Sequence, residues 1–253
     1  MVKKFHYLTT FPEIIEAYFN YSIPGRAVKS GSLAYNIVSL RDFTTDKHKT
    51  TDDTPYGGGP GMVMKLAPIL SAIDALLLPK NSAIILLTPK GRLLEQNLLE
   101  ELSLIDQLVF LCGHYEGMDE RIGLYAHYAV SIGDYVIGGG EISSLVLSDG
   151  IIRLHKDVLG NADSALQDSF SQGLLDYPQY TKPRIFDEFE VPDVLCSGHH
   201  KNIAQYRRKE SLKWTLLLRP ELLKKTFLSK EDKNLLKEIK KDLLSAIMEN
   251  LNE

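Results

Sequence analysis

Short apolar runs recur along the first 160 residues with little polar alternation: FHYLT (Phe5 to Thr9), YNIVSL (Tyr35 to Leu40), AIILLT (Ala83 to Thr88), QLVFLC (Gln107 to Cys112) and YAVSI (Tyr128 to Ile132). Strands buried on both faces read this way, whereas a strand with one wet face alternates. Between them, residues 12–21, 66–78 and 92–104 carry apolar positions at helical spacing. Strands alternating with helices predict an α/β domain with a mainly parallel sheet covered by helices. After Leu159 the pattern changes. The stretch GNADSALQDSFSQG is small and polar, as linkers and mobile loops are, and the residues beyond it are mostly helical in pattern. The last stretch opens with Ser229 and Asp232 at capping-box spacing, then sets Leu235, Leu236, Ile239, Leu243, Leu244 and Ile247 at helical spacing as a packing stripe. The expected division is therefore an α/β domain over 1–159, a flexible linker over 160–175 and a small, mainly helical domain over 176–253.

Composition narrows the class. The chain of 253 residues suits one large domain or two modest ones. Hydrophobic residues at 44% and charged residues at 25% exclude a disordered or fibrous chain. No apolar run reaches the roughly 18 residues of a membrane span, and MVKKFHYLTTFPEII lacks a signal-peptide core, so a cytoplasmic location is expected. Cys112 and Cys196 stand far apart without CxxC or clustered histidine, which reads as two reduced thiols and no metal site. A net charge of -4 gives no global attraction to nucleic acid. Contact with RNA would rest on local patches, and HHKNIAQYRRKESLKW is one, with Lys201, Arg207, Arg208, Lys209 and Lys213 beside two aromatic residues. A solvated helix face is the plainer alternative.

Three glycine-bearing stretches each follow an expected strand: TPKGR (Thr88 to Arg92), LCGHYEG (Leu111 to Gly117) and SIGDYVIGGGE (Ser131 to Glu141). In a parallel sheet, ligands sit beyond the carboxyl ends of the strands. The dinucleotide fingerprint GxGxxG is missing, and Gly139 and Gly140 stand where a phosphate loop would place lysine and a hydroxyl residue. Any one of these loops alone reads as a tight turn; three together fit the lining of one pocket. Backbone exposed by glycine offers N–H and C=O groups to the edge of a base. The shortage of lysine suits a phosphate-free adenosine ligand that is itself cationic, a description S-adenosylmethionine meets.

KHKTTDDTPYGGGPGM (Lys47 to Met62), LCGHYEGMDER (Leu111 to Arg121), SIGDYVIGGGE, DSFSQGLLDYPQYTKP (Asp168 to Pro183) and VLCSGHH (Val194 to His200) closely resemble the bacterial tRNA (guanine-N1)-methyltransferases, in order and over nearly the whole chain. The resemblance implies a SPOUT-type parallel sheet with a deep trefoil knot that holds S-adenosylmethionine, a helical C-terminal domain that binds tRNA, and a homodimer whose active site draws on both chains. The implied reaction is methylation at N1 of guanine 37, the base 3′ to the anticodon. The implied cofactor residues are Leu87, Thr88, Pro89 and Gly91, then Gly113 and Glu116, then Ile132, Gly133, Tyr135, Val136, Ile137, Gly139 and Gly140. Asp52, Gly58 and Gly59 resemble the part of the family facing the target base, and Ser197, His199, Lys201, Arg207 and Arg208 become candidates for RNA contact.

Methylating this ring nitrogen requires a base for its proton and a cation near the charge that develops on O6. By the resemblance these are Asp168 and Arg153. Each has a bland alternative: Asp168 as cap of a helix beginning near Ser169, and Arg153 as partner of Asp149 four residues before it. A carboxylate is a weak base, so desolvation of Asp168 by the closing linker is part of the expectation. Glu116 is a candidate for positioning the cofactor or holding a magnesium ion, in a chain with no complete metal site. Two departures from the family pattern stand out: Gly138 where Thr or Ser is common, and Ala126 to Ala129 where the family is often acidic. Competing readings are a SPOUT enzyme acting on a ribose 2′-hydroxyl or ribosomal RNA, and a non-catalytic RNA-binding dimer.

Overall fold

The computed structural model describes residues 2–155 and 168–250. The chain divides into two compact units, Met1–Gly160 and Asn161–Glu253. Among the described residues, no helix is long and apolar enough to cross a membrane.

The first unit runs β1 (Lys3–Thr9), α1 (Pro12–Phe19), α2 (Ser22–Lys29), β2 (Leu33–Ser39), β3 (Asp52–Asp53), β4 (Val63–Met64), α3 (Leu66–Ala75), β5 (Ser82–Leu93), α4 (Gln96–Ser103), β6 (Gln107–Leu111), β7 (Tyr128–Ser131) and α5 (Gly140–Leu154). Five strands form one parallel sheet in the order β2-β1-β6-β5-β7. Each corresponds to one of the apolar runs, and the lack of alternation has the expected cause: both faces are covered. Phe5, Tyr7, Ile85 and Phe110 pack on one side with Leu147 and Ile151 of α5. Leu8, Ile84, Val109 and Leu111 point to the other, against Ile69 and Ala72 of α3. The Tyr7 hydroxyl meets Ser148 Oγ at 2.6 Å, fixing α5 on the sheet. Buried Lys3 donates from Nζ to the carbonyls of Leu102 and Ser103 at 2.9 Å each, and also to Ile105, so its ammonium meets the negative end of α4.

The helix expected over 92–104 starts four residues late, at Gln96, because β5 continues to Leu93. Leu87 and Arg92 share one partner, Val130, so residues 88–91 bulge out of the strand before it resumes against β7. Gly91 permits that return: a Cβ there would lie 2.4 Å from the Val130 nitrogen. Helices α1 and α3 end at Phe19 and Ala75, short of the expected residues 21 and 78.

The second unit holds a hairpin, β8 (Ile185–Phe186) and β9 (Phe189–Glu190), and the helices α6 (Asp193–Cys196), α7 (His200–Leu218), α8 (Pro220–Lys225) and α9 (Lys230–Asn250). Leu174, Leu212, Leu235, Leu236 and Ile239 make its core. Leu244 and Ile247, the end of the expected packing stripe, stay exposed. Residues 160–167 of the expected linker lie outside the described residues, while 168–175 are held in this unit. The Ser211 hydroxyl donates to Leu175 O at 2.5 Å, and Leu175 N donates to Thr215 Oγ1 at 3.0 Å. Ser169 begins a turn rather than a helix, closed by Phe170 N donating to Leu174 O at 2.7 Å, so Asp168 caps no helix there.

The capping box at the start of α9 forms as the spacing predicts. Asp232 N donates to Ser229 Oγ and Ser229 N to Asp232 Oδ2, each at 3.0 Å. Arg208 adds a two-pronged ion pair to the same carboxylate, at 2.7 and 3.0 Å. The guanidinium, helped by the Ser229 hydrogen bonds and opposed by burial, holds the Asp232 carboxyl down at about 2. A carboxyl held below its unfolded value stabilises the fold above about pH 4, and that stability is lost as pH falls toward 2. Asp232→Asn should therefore cost the unit about 1 to 2 kcal/mol at neutral pH. Urea unfolding followed at a series of pH values checks this: the gap between wild type and variant should close below about pH 3, and an unchanged gap there would refute the assignment.

Candidate functional site

Strands β6, β5 and β7 are neighbours, so the loops leaving their carboxyl ends stand side by side. They enclose a cleft of about 590 Å³. Its walls include Leu87, Thr88 and Pro89 from the first loop, Gly113 and Glu116 from the second, and Ile132, Gly133, Tyr135, Val136, Ile137, Gly139 and Gly140 from the third. Gly91 does not line the cleft; it supports it through the close approach to Val130. The second and third loops are joined by Gly140 N donating to Gly113 O at 2.8 Å. A Cβ at Gly140 would lie 2.7 Å from Cys112 Cα, so α5 reaches the end of β6 only because that side chain is missing.

The cleft is poor in uncommitted positive charge. Lys90 is paired with Glu120 at 2.8 Å. Behind the wall lies a group that the spacing of residues did not reveal: buried Glu141 accepts from the Thr9 hydroxyl and meets His114 Nε2 at 2.6 Å. The His114 ring also lies 4.6 Å from the Phe11 ring, centre to centre. Burial, with the Glu141 carboxylate nearby, pushes the Cys112 thiol far above its usual range, consistent with an inert free cysteine; Cys196 is free and exposed.

The loop carrying Gly58 and Gly59 runs beside the LCGHYEG loop. Glu116 N donates to Met62 O at 3.0 Å and Met64 N to Gly117 O at 2.9 Å, and the Glu116 side chain lies over Gly61. Asp52 pairs with Met64 in the small β3–β4 ladder at the base of that loop. Arg153 is exposed on the last turn of α5. Asp149, its alternative partner, accepts from the Tyr18 hydroxyl at 2.7 Å.

In the second unit, Asp168 lines a groove of about 360 Å³ with Tyr177, His200, Ile203, Arg207 and Arg208 among others. The basic stretch is less uniform than its sequence suggests. Arg208 is committed to Asp232, Lys209 to Glu238 at 2.6 Å, and Lys213 to Glu210 at 3.7 Å. Arg207 instead stacks over Tyr177, 4.7 Å from the ring centre, and its buried Nε has no hydrogen-bond partner among the described residues. Lys201 is exposed in the first turn of α7, and His199 precedes that helix. Ser197 donates to Val194 O at 2.7 Å and accepts from His199 N at 3.2 Å. Among the described residues, no group of three or more His, Cys, Asp or Glu side chains is placed to hold a metal ion.

The described residues thus make an α/β unit with a backbone-lined cleft at the ends of three adjacent parallel strands, and a helical unit with a partly basic face. The family model for tRNA (Guanine-1)-methyltransferase TrmD matches residues 3–225, and the chain belongs to that family. A tRNA (guanine-N(1)-)-methyltransferase of Dictyoglomus turgidum is 50% identical over 240 residues, covering 95% of this chain and 98% of its own. Its namesake in Caldanaerobacter subterraneus subsp. tengcongensis is 47% identical, with 92% and 97% covered. That of Lactobacillus helveticus is 45% identical, with 95% and 99% covered.

Proposed function

We propose that the protein transfers a methyl group from S-adenosylmethionine to N1 of guanine 37 in tRNA, the base 3′ to the anticodon. Family membership carries the transferase class and the tRNA guanine target; the cleft at the ends of β5, β6 and β7 is the single structural observation that most supports the cofactor. Its size, its exposed loop backbone and the pairing of Lys90 suit an uncharged adenosine with a cationic sulfur better than a phosphate ester. When bound, the cofactor supplies the methyl group. Asp168 accepts the N1 proton, and Arg153 steadies the negative charge on O6. Arg207, Lys201, His199 and Ser197 contact the RNA, with Asp52, Gly58 and Gly59 facing the target base. Arg208 holds α7 to α9 and shapes the groove from behind. Glu116 offers one exposed carboxylate near the cofactor; alone it does not build a magnesium site.

A knotted sheet and a homodimer belong to the same reading, as does a cytoplasmic location. Exposed Tyr135, Val136 and Ile137, continued by Ile142 and Val146 one helical turn apart on α5, support a second copy packing there. The test is incubation of purified protein with labelled S-adenosylmethionine and tRNA transcripts that carry or lack guanine 3′ to the anticodon. Product confined to transcripts with that guanine, identified as 1-methylguanosine by mass spectrometry, is the expected result. Ribose methylation, or label in both transcripts, would refute it.

A further inference from the structure

We propose that buried Glu141 makes the cleft prefer the positively charged cofactor over the uncharged thioether left after methyl transfer. This rests on the cofactor reading above. Helix α5 is 15 residues long and starts at Gly140, and Gly139 and Gly140 are in the cleft wall, so its N-terminus faces the ligand. Such a terminus carries roughly half a positive charge and ordinarily favours anions. A sulfonium beside it is repelled unless a counter-charge stands close.

Glu141, second residue of the helix and 1% exposed, stands there. Its carboxylate accepts from Thr9 and meets His114 Nε2 at 2.6 Å. The carboxylate sits in a place that water screens poorly. Coulomb attraction is several times stronger there than in bulk water. The charge is also fixed in position. His114 packs against Phe11, and a Cβ on Gly139 would strike both the imidazole and the carboxylate. The other acids of the cleft are less suited: Glu120 is paired with Lys90, and exposed Glu116 lies over Gly61. A positioning role alone would support charged and uncharged ligands equally, whereas a counter-charge distinguishes them.

Calorimetric titration of wild type and Glu141→Gln with S-adenosylmethionine, S-adenosylhomocysteine and sinefungin, which carries an ammonium near the sulfonium position, separates the two roles. The glutamine side chain keeps a hydrogen-bond acceptor and loses the charge. The expected result is about tenfold weaker binding of the two cationic ligands and less than about twofold change for S-adenosylhomocysteine. Equal losses for all three, or no loss, would overturn the inference. If Glu141→Gln does not fold, the wild type still tests the inference: equal or tighter binding of S-adenosylhomocysteine than of the two cationic ligands overturns it. A wild type that binds none of the three overturns the cofactor reading and the inference together, which is distinct from binding without selectivity.

Discussion

Asp168→Asn should slow methyl transfer to tRNA at least about a hundredfold while leaving S-adenosylmethionine affinity within about twofold. The amide has nearly the shape of the carboxylate but is far less basic, so the N1 proton loses its acceptor at the moment the methyl group moves. The fold should survive the change. The turn is closed by the Asp168 backbone carbonyl, which accepts from the Ser171 hydroxyl at 2.6 Å, and by Phe170 N donating to Leu174 O. The cofactor cleft belongs to the other unit, which is why its affinity is expected to hold. Single-turnover kinetics with saturating tRNA, run beside calorimetric cofactor titration, read the two quantities separately. Arg153→Ala should move them in the same directions. Near-normal single-turnover rates in Asp168→Asn would sink the assignment of the base.

Gly91→Ala is expected to cost about 3 kcal/mol or more and to abolish cofactor binding under ordinary conditions. The added methyl would lie 2.4 to 2.6 Å from three backbone atoms of Ala129 and Val130, and backbone in a paired strand has no rotamer by which to yield. The alternative is separation of Arg92 and Leu93 from β7, which would pull the first cofactor loop out of the wall. Gly123→Ala is the matching control for stability alone, since nothing lies within 4 Å of its Cβ position although Gly123 lines the cleft; its effect on unfolding should stay within about 0.5 kcal/mol. Urea unfolding and calorimetry on both variants check the contrast, and a Gly91→Ala protein as stable as the control would contradict the packing described.

The five strands were legible because burial on both faces removes polar alternation, and that pattern survives in Phe5 to Thr9 or Gln107 to Leu111 whatever their neighbours do. The bulge at 88–91 was not, since Leu93 and Leu94 satisfy a helix pattern and a strand pattern alike, and only pairing with β7 decides between them. Helix α2 escaped notice because Pro24 and Gly25 are poor helix formers and it is held by packing of Pro24, Gly25 and Ala27. That three loops line one cleft was readable from the glycines that follow each strand. His114 and Glu141, which meet across 27 residues, and Tyr177 and Arg207, across 30, leave no periodic trace. For Glu141 the available hint was an acid at the foot of a helix, a common and unspecific feature. Asp168 and Arg153 entered through family resemblance, because an isolated aspartate or arginine announces no chemistry.

The strand order sets a schedule for the growing chain. β1 and β2 can pair as soon as residue 39 is made, yet the other edge of β1 must wait for β6, about a hundred residues after β1 itself. At about 5 to 20 residues per second, that leaves this edge of β1 open for roughly 5 to 20 s on the ribosome. During that interval an unpaired edge is available to any other extended segment. The burden of keeping nascent chains apart therefore falls on the first hundred residues, before the second and third loops of the cleft are made.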